Sequence, residues 1–161
     1  MGHKFLKHVE RTSLLLLIID IFGFRLSNKH HQRNCLENIY ALNKELEMYD
    51  PTLLEKPCVL LVNKMDLDGS IEEYMKNEKY FNNLTEGLNE CPDEIRPNQL
   101  LKFERIIPIS AKTNKEIDKV KLQVREVLDS AEKRKILTEE IVRNPNEELR
   151  EKRRERGPKM V

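Results

Sequence analysis

Glycine is scarce in this chain: five residues, at positions 2, 23, 69, 87 and 157. A loop that surrounds phosphate with successive backbone N–H groups needs the spacing G-x-x-x-x-G-K-[ST], and no two of these glycines stand five apart. These residues therefore contain no phosphate cradle of that kind. Cysteine is also sparse. Cys35, Cys58 and Cys91 are odd in number, far apart and outside any metal-type spacing, which suits a reducing compartment and predicts neither disulfides nor zinc. Long apolar runs are missing too: LLLLII at positions 14–19 is far shorter than the roughly 18–20 residues of a membrane helix. The opening MGHKFLKHVER mixes acid with base and lacks the basic, apolar and small-residue order of a signal peptide. Nor does one sign of charge dominate. With 29 basic and 28 acidic side chains the net charge is +1, so no nucleic-acid or membrane partner follows from the balance, and any such preference needs a local cluster.

What remains is enough for one ordinary domain with its own core, since the chain has 161 residues. Phe5, Leu6 and Val9 make one stripe on a short helix over residues 1–11. Residues 14–20 form a strand apolar on both faces, the pattern of a parallel strand covered by helices. Cys35, Ile39, Leu42 and Leu46 recur at helical steps, predicting a helix over residues 32–49 that Pro51 stops. Residues 58–62 are a second apolar strand. Ser70 with Glu73 three residues on predicts an N-cap and a helix over residues 71–80. Residues 82–103 are polar, contain Pro92 and Pro97, and read as a long connection or insertion. A third apolar strand spans residues 105–109, and a helix over residues 114–133 turns Ile117, Val120, Val124 and Val127 inward.

Strands alternating with helices predict an α/β fold: about three parallel strands in a three-layer arrangement with flanking helices. Ligands of such sheets sit at the carboxyl ends of the strands. Two unusual loops leave those ends, Asn63-Lys64-Met65-Asp66 and Ser110-Ala111-Lys112. An ionised carboxylate only accepts hydrogen bonds, and its two oxygens match two adjacent donors. Guanine offers that pair in N1–H and its exocyclic amine, whereas adenine has a lone pair at N1, so Asp66 selects guanine. Asn63 braces the loop or reaches N7. The apolar stem of Lys64 lies across the base face, with its ammonium in water. Met65 and Leu67 anchor the turn. The Ala111 N–H is suited to guanine O6, Ser110 fixes the second turn, and Lys112 flanks the base. Asn-Lys-x-Asp alone arises by chance in about one chain of this length in fifty. Its place at a strand end, with Ser-Ala-Lys at the next one, makes the combination far more specific.

NKMD with SAK resembles the base-recognition motifs of Ras-like, translation-factor-class P-loop GTPases. GHKFLKHVERTSLLLLIID is similar to the segment after the second switch in Obg-type GTPases, and DIFGFRLS brings the likeness closest to metazoan members. The resemblance runs from Met1 to about Ser130. It implies the C-terminal half of a Ras-like G domain over residues 1–133 and a charged, basic tail, helical or disordered, over residues 134–161. Asn63, Lys64 and Asp66 are then the fourth G-box, and Ser110, Ala111 and Lys112 the fifth. Family members bind GTP or GDP with Mg²⁺, hydrolyse GTP slowly and assist assembly of the large ribosomal subunit, in mitochondria or the nucleolus.

The resemblance places the family's Mg²⁺-contacting threonine and third G-box ahead of Met1, so the Mg²⁺ ligands are expected outside this chain. Hydrolysis rests on positioning and stabilising phosphoryl oxygens, and this polypeptide alone is expected to be inactive, with no catalytic or metal residue of its own. The first strand is expected to be an exposed edge, as in a fragment of a longer GTPase. An alternative reading is a non-catalytic module that contacts ribosomal RNA through residues 150–159, which hold six basic side chains against two acidic ones. His30 and His31 near Cys35 fall short of a metal ligand set and read as a solvated loop. The pairs Glu72/Glu73 and Glu139/Glu140 read as surface charge.

Overall fold

The computed structural model describes residues 3–24, 32–114 and 116–143. His30, His31, the last three residues of DIFGFRLS and the basic stretch 150–159 lie outside the described residues. Three parallel strands, β1 (Leu15–Asp20), β2 (Cys58–Asn63) and β3 (Phe103–Pro108), form one sheet in the order β1-β2-β3. The helices are α1 (His3–Glu10), α2 (Cys35–Tyr49), α3 (Ser70–Asn82) and α4 (Ile117–Arg143). This is the expected α/β architecture, a parallel sheet with flanking helices.

Side-chain alternation sorts the sheet into two cores. Leu15, Leu17 and Ile19 of β1 and Cys58, Leu60 and Val62 of β2 point to one face, where they pack with Leu6 of α1, Ile39 and Tyr40 of α2 and Phe81 of α3. Val59, Leu61, Ile107 and Ile109 point to the other, covered by Val120 and Val127 of α4, with Ile117 and Val124 partly buried beside them. The central strand is therefore apolar from Cys58 to Val62 because both of its sides are covered. Strand β1 is the expected edge strand, but helices do not cover both of its faces. Only one of its faces is packed: Leu16 and Ile18 are 44% and 56% exposed, because β1 is an edge strand and α4 lies over its neighbours.

Two caps are clear in the structure. Asn34 accepts from the Glu37 N–H and Glu37 accepts from the Asn34 N–H, a reciprocal capping box that starts α2 at Cys35 rather than at residue 32. The Lys56 ammonium donates to the carbonyls of Val9, Glu10 and Thr12 at 2.9, 2.7 and 2.7 Å, neutralising the free carbonyl end of α1.

Residues 82–103 are not a polar insertion. They contain a 3₁₀ segment, Leu84–Glu90, and send Leu84, Cys91, Ile95 and Leu101 into the main core. Asn43 of α2, fully buried, donates from Nδ2 to the Gln99 carbonyl at 2.7 Å and accepts the Leu101 N–H at 2.8 Å. This amide ties the long connection to the helix.

The chain divides into two compact units, Met1–Val127 and Leu128–Val161. The described part of the second is the remainder of α4, which continues beyond residue 133 to Arg143 and is exposed over most of its length. Among the described residues no helix is long and apolar enough to cross a membrane.

Candidate functional site

Strands β2 and β3 end side by side, with Val62 opposite Pro108. The pairing then continues into both loops: the Ile109 N–H donates to the Val62 carbonyl at 2.8 Å, and the Met65 N–H to the Ile109 carbonyl at 3.1 Å. That brings the two predicted loops together. The Ser110 hydroxyl, fully buried, donates to Asp66 Oδ1 at 2.6 Å and accepts the Thr113 N–H at 3.2 Å. Asn63 Oδ1 accepts the Ala111 N–H at 3.0 Å. Four of the six sequence-predicted residues are thus joined in two cross-loop pairs.

The Ala111 N–H, assigned to guanine O6 from the sequence, is already donated to Asn63, so reading O6 requires that bond to be shared or exchanged. The same bond aligns the Asn63 amide and leaves its N–H₂ donors available. Asp66 is exposed and acceptor-only when ionised. A carboxylate has about four lone-pair sites, so the Ser110 bond leaves capacity for two base donors. That hydroxyl is the main cause holding the Asp66 carboxyl below its ordinary range; desolvation opposes it, and a backbone hydrogen bond and then the Lys112 and Lys64 charges lower it further. Lys112 is exposed.

Two expected details of the first loop change. Met65 packs against the main core, but the Leu67 side chain is exposed, and Leu67 holds the turn through its backbone, its N–H donating to the Lys64 carbonyl and its carbonyl accepting the Ser70 N–H, both at 3.2 Å. Ser70 is not the N-cap of α3; that position is Gly69, at φ +78° with no side-chain cap bond. The buried Ser70 hydroxyl instead turns back to the Met65 carbonyl at 3.1 Å, fixing the loop after β2 rather than the helix start.

Lys64 takes a left-handed backbone, φ +70°, and its ammonium does not stand in water alone. It is paired with Asp20 Oδ2 at 2.5 Å. Asp20 closes β1 directly opposite Asn63 in register. Sequence reasoning missed Asp20; the available signal was an acid ending the apolar run LLLLIID. Cys35, Cys58 and Cys91 are free and buried, and burial pushes the Cys35 and Cys58 thiols up to about 12. They are poor ligands and nucleophiles at neutral pH. Among the described residues no group of three or more His, Cys, Asp or Glu could hold a metal ion.

Replacing Ser110 by Ala is expected to raise the Asp66 titration midpoint toward the ordinary carboxylate value of about 3.9. Because the folded-state value is depressed, the stability linked to Asp66 is present above the unfolded-state value and lost as pH falls through the folded one. Ser110→Ala closes the gap between the two values, so that linked stability shrinks. Carbon-detected NMR of the Asp66 carboxyl against pH checks this, and an unmoved midpoint would refute the role given to the hydroxyl.

A parallel α/β sheet with these two loops at adjacent strand ends is the arrangement of the C-terminal region of a P-loop GTPase domain. No family model matches the chain. It is, however, 51% identical over 165 aligned residues to a GTP-binding protein 10 homolog of Drosophila melanogaster, covering 100% of this chain and 42% of that protein. Human GTP-binding protein 10 is 42% identical over 129 residues, 80% of this chain and 33% of the relative. The GTPase Obg of Desulforamulus reducens is 38% identical over 128 residues, 80% and 25% of the two lengths. The chain thus spans less than half the length of the curated relatives it matches. Over that span it is homologous to Obg-type GTPases and matches a C-terminal part of these relatives.

Proposed function

We propose that the loops after β2 and β3 form a guanine-recognition pocket, and that the chain serves as the base-reading part of an Obg-type GTPase in maturation of the large ribosomal subunit. Asp66 accepts from guanine N1–H and the exocyclic amine, Asn63 offers its amide toward N7, and Lys64 lays its stem over the base. Ser110 holds Asp66, Ala111 shares its N–H between Asn63 and O6, and Lys112 flanks the base. The observation that carries this reading is the pair of cross-loop bonds, Ser110 to Asp66 and Ala111 to Asn63, which present an acceptor-only carboxylate beside an oriented amide at two strand ends. The partial G domain of residues 1–133 and the location in mitochondrion or nucleolus belong to the same reading through the family resemblance. Contact with ribosomal RNA rests on the composition of residues 150–159.

GTP or GDP is the ligand, with Mg²⁺ supplied to the complete family domain. Residues 20–23 carry the letters Asp-x-x-Gly, but the Asp20 carboxylate is committed to Lys64 Nζ and to the Phe22 N–H at 3.1 Å. A carboxylate so neutralised does not fit a metal, and the reading assigns Asp20 to the base loop. With no glycine cradle among these residues, binding is weak and GTP is not turned over by the chain alone. Titration with fluorescent GDP, GTP and ATP tests the proposal: weak but selective guanine binding is expected, abolished in Asp66→Ala. Equal binding of ATP and GTP would overturn it.

A further inference from the structure

We propose that Asp20 is the positioning residue of Lys64, setting the course of its side chain across the base and so strengthening nucleotide binding; this rests on the guanine-recognition reading. The geometry makes Asp20 the fixed partner. Its side chain is 16% exposed against 51% for Lys64. One carboxylate oxygen accepts the Phe22 N–H at 3.1 Å, its carbonyl accepts the Gly23 N–H at 2.9 Å, and the Ile21 N–H donates to the Asn63 carbonyl at 3.2 Å. The turn itself has little freedom. Gly23 sits at φ +73°, and a Cβ there would stand 1.9 Å from the Arg33 carbonyl oxygen, so the chain after β1 is held against Arg33. Lys64 is the mobile member: a flexible four-carbon stem on a left-handed backbone residue, drawn toward β1 by the ion pair. A stem already fixed along the site loses less freedom when a base stacks on it, and pre-organisation of that kind raises affinity.

An exposed ion pair by itself stabilises little. The expected signature is therefore coupling in ligand binding. Four full-length chains suffice: wild type, Asp20→Asn, Lys64→Met and the double variant, titrated with fluorescent GDP. Asp20→Asn is expected to weaken GDP binding by about tenfold in the wild-type background and by less than about twofold beside Lys64→Met. Asp20→Glu, which keeps the carboxylate, recovers part of the loss. Equal losses in both backgrounds, or no loss in either, overturn the proposal, the first outcome assigning Asp20 a merely structural role. A second readout needs no nucleotide: the Lys64 ammonium resonance in ¹⁵N-labelled protein is expected to be slow to exchange in wild type and averaged in Asp20→Asn. A solvent-averaged Lys64 ammonium in wild type overturns the clamp, whatever binds. Should wild type fail to prefer GDP over ADP, the guanine reading falls by itself, and the positioning of the bound base falls with it even if the ammonium signal shows the pair.

Discussion

Asp66→Asn is expected to move the base preference from guanine to xanthine. Guanine presents two adjacent donors, N1–H and the 2-amine, to which a carboxylate responds with two acceptors. Asparagine keeps one acceptor and replaces the other with an N–H₂ donor. Facing guanine, that donor meets the amine, and a charge-assisted pair is exchanged for a repulsive contact. Facing xanthine, whose position 2 is a carbonyl, the same amide pairs at both atoms. The Ser110 hydroxyl can still donate to the remaining side-chain oxygen, so the loop is kept and the change falls on the base edge. Loss of charge-assisted bonds at a site of this kind weakens GDP binding on the order of a hundredfold, and XDP should gain by a similar factor. Competitive displacement of a fluorescent nucleotide by GDP, XDP and ADP measures both. If GDP and XDP weaken in parallel, the carboxylate does not touch the base.

The largest effect on stability is expected from Asn43→Leu. The substitution keeps volume but removes both partners of a buried arrangement, leaving the Gln99 carbonyl and the Leu101 N–H without their amide. The buried Leu101 N–H loses its acceptor at about 1–3 kcal/mol, and the Gln99 carbonyl, part-buried on an exposed residue, costs less because water can reach it, so a net loss of about 1–3 kcal/mol follows. Against a domain stability of roughly 5–15 kcal/mol this is a large share. Urea unfolding followed by circular dichroism reads it as a lower midpoint at unchanged slope. A midpoint within error of wild type would show that the long connection is held by its apolar packing alone.

The three strands and the two loops are legible in the sequence because their signals are local. Residues 58–62 are apolar at every position, which only a strand covered on both sides requires, and NKMD and SAK follow directly on strand ends. What is not legible depends on partners distant in sequence. Asp20 acquires meaning only from the register that sets it opposite Asn63, and no periodicity reveals register between strands 38 residues or more apart in sequence. Ser70 misleads because a hydroxyl can cap forward or bond backward, and the Met65 carbonyl, left by the tight turn, takes it. Residues 82–103 look like an insertion because Pro92 and Pro97 break the helical steps that Leu84, Cys91 and Ile95 would otherwise suggest; they are held by a 3₁₀ segment and by one asparagine. The left-handed Lys64 is likewise hidden, since a lysine gives no warning of positive φ.

The three buried thiols give the molecule a set of internal clocks. Cys35 sits at the first turn of α2, Cys58 at the start of the central strand, and Cys91 at the end of the 3₁₀ segment. None can be alkylated while it is enclosed, so the rate at which a thiol reagent marks each one reports how often that part of the structure opens. Separate rates would divide the domain into regions that breathe independently, and one common rate would mean that helix, strand and connection are lost together.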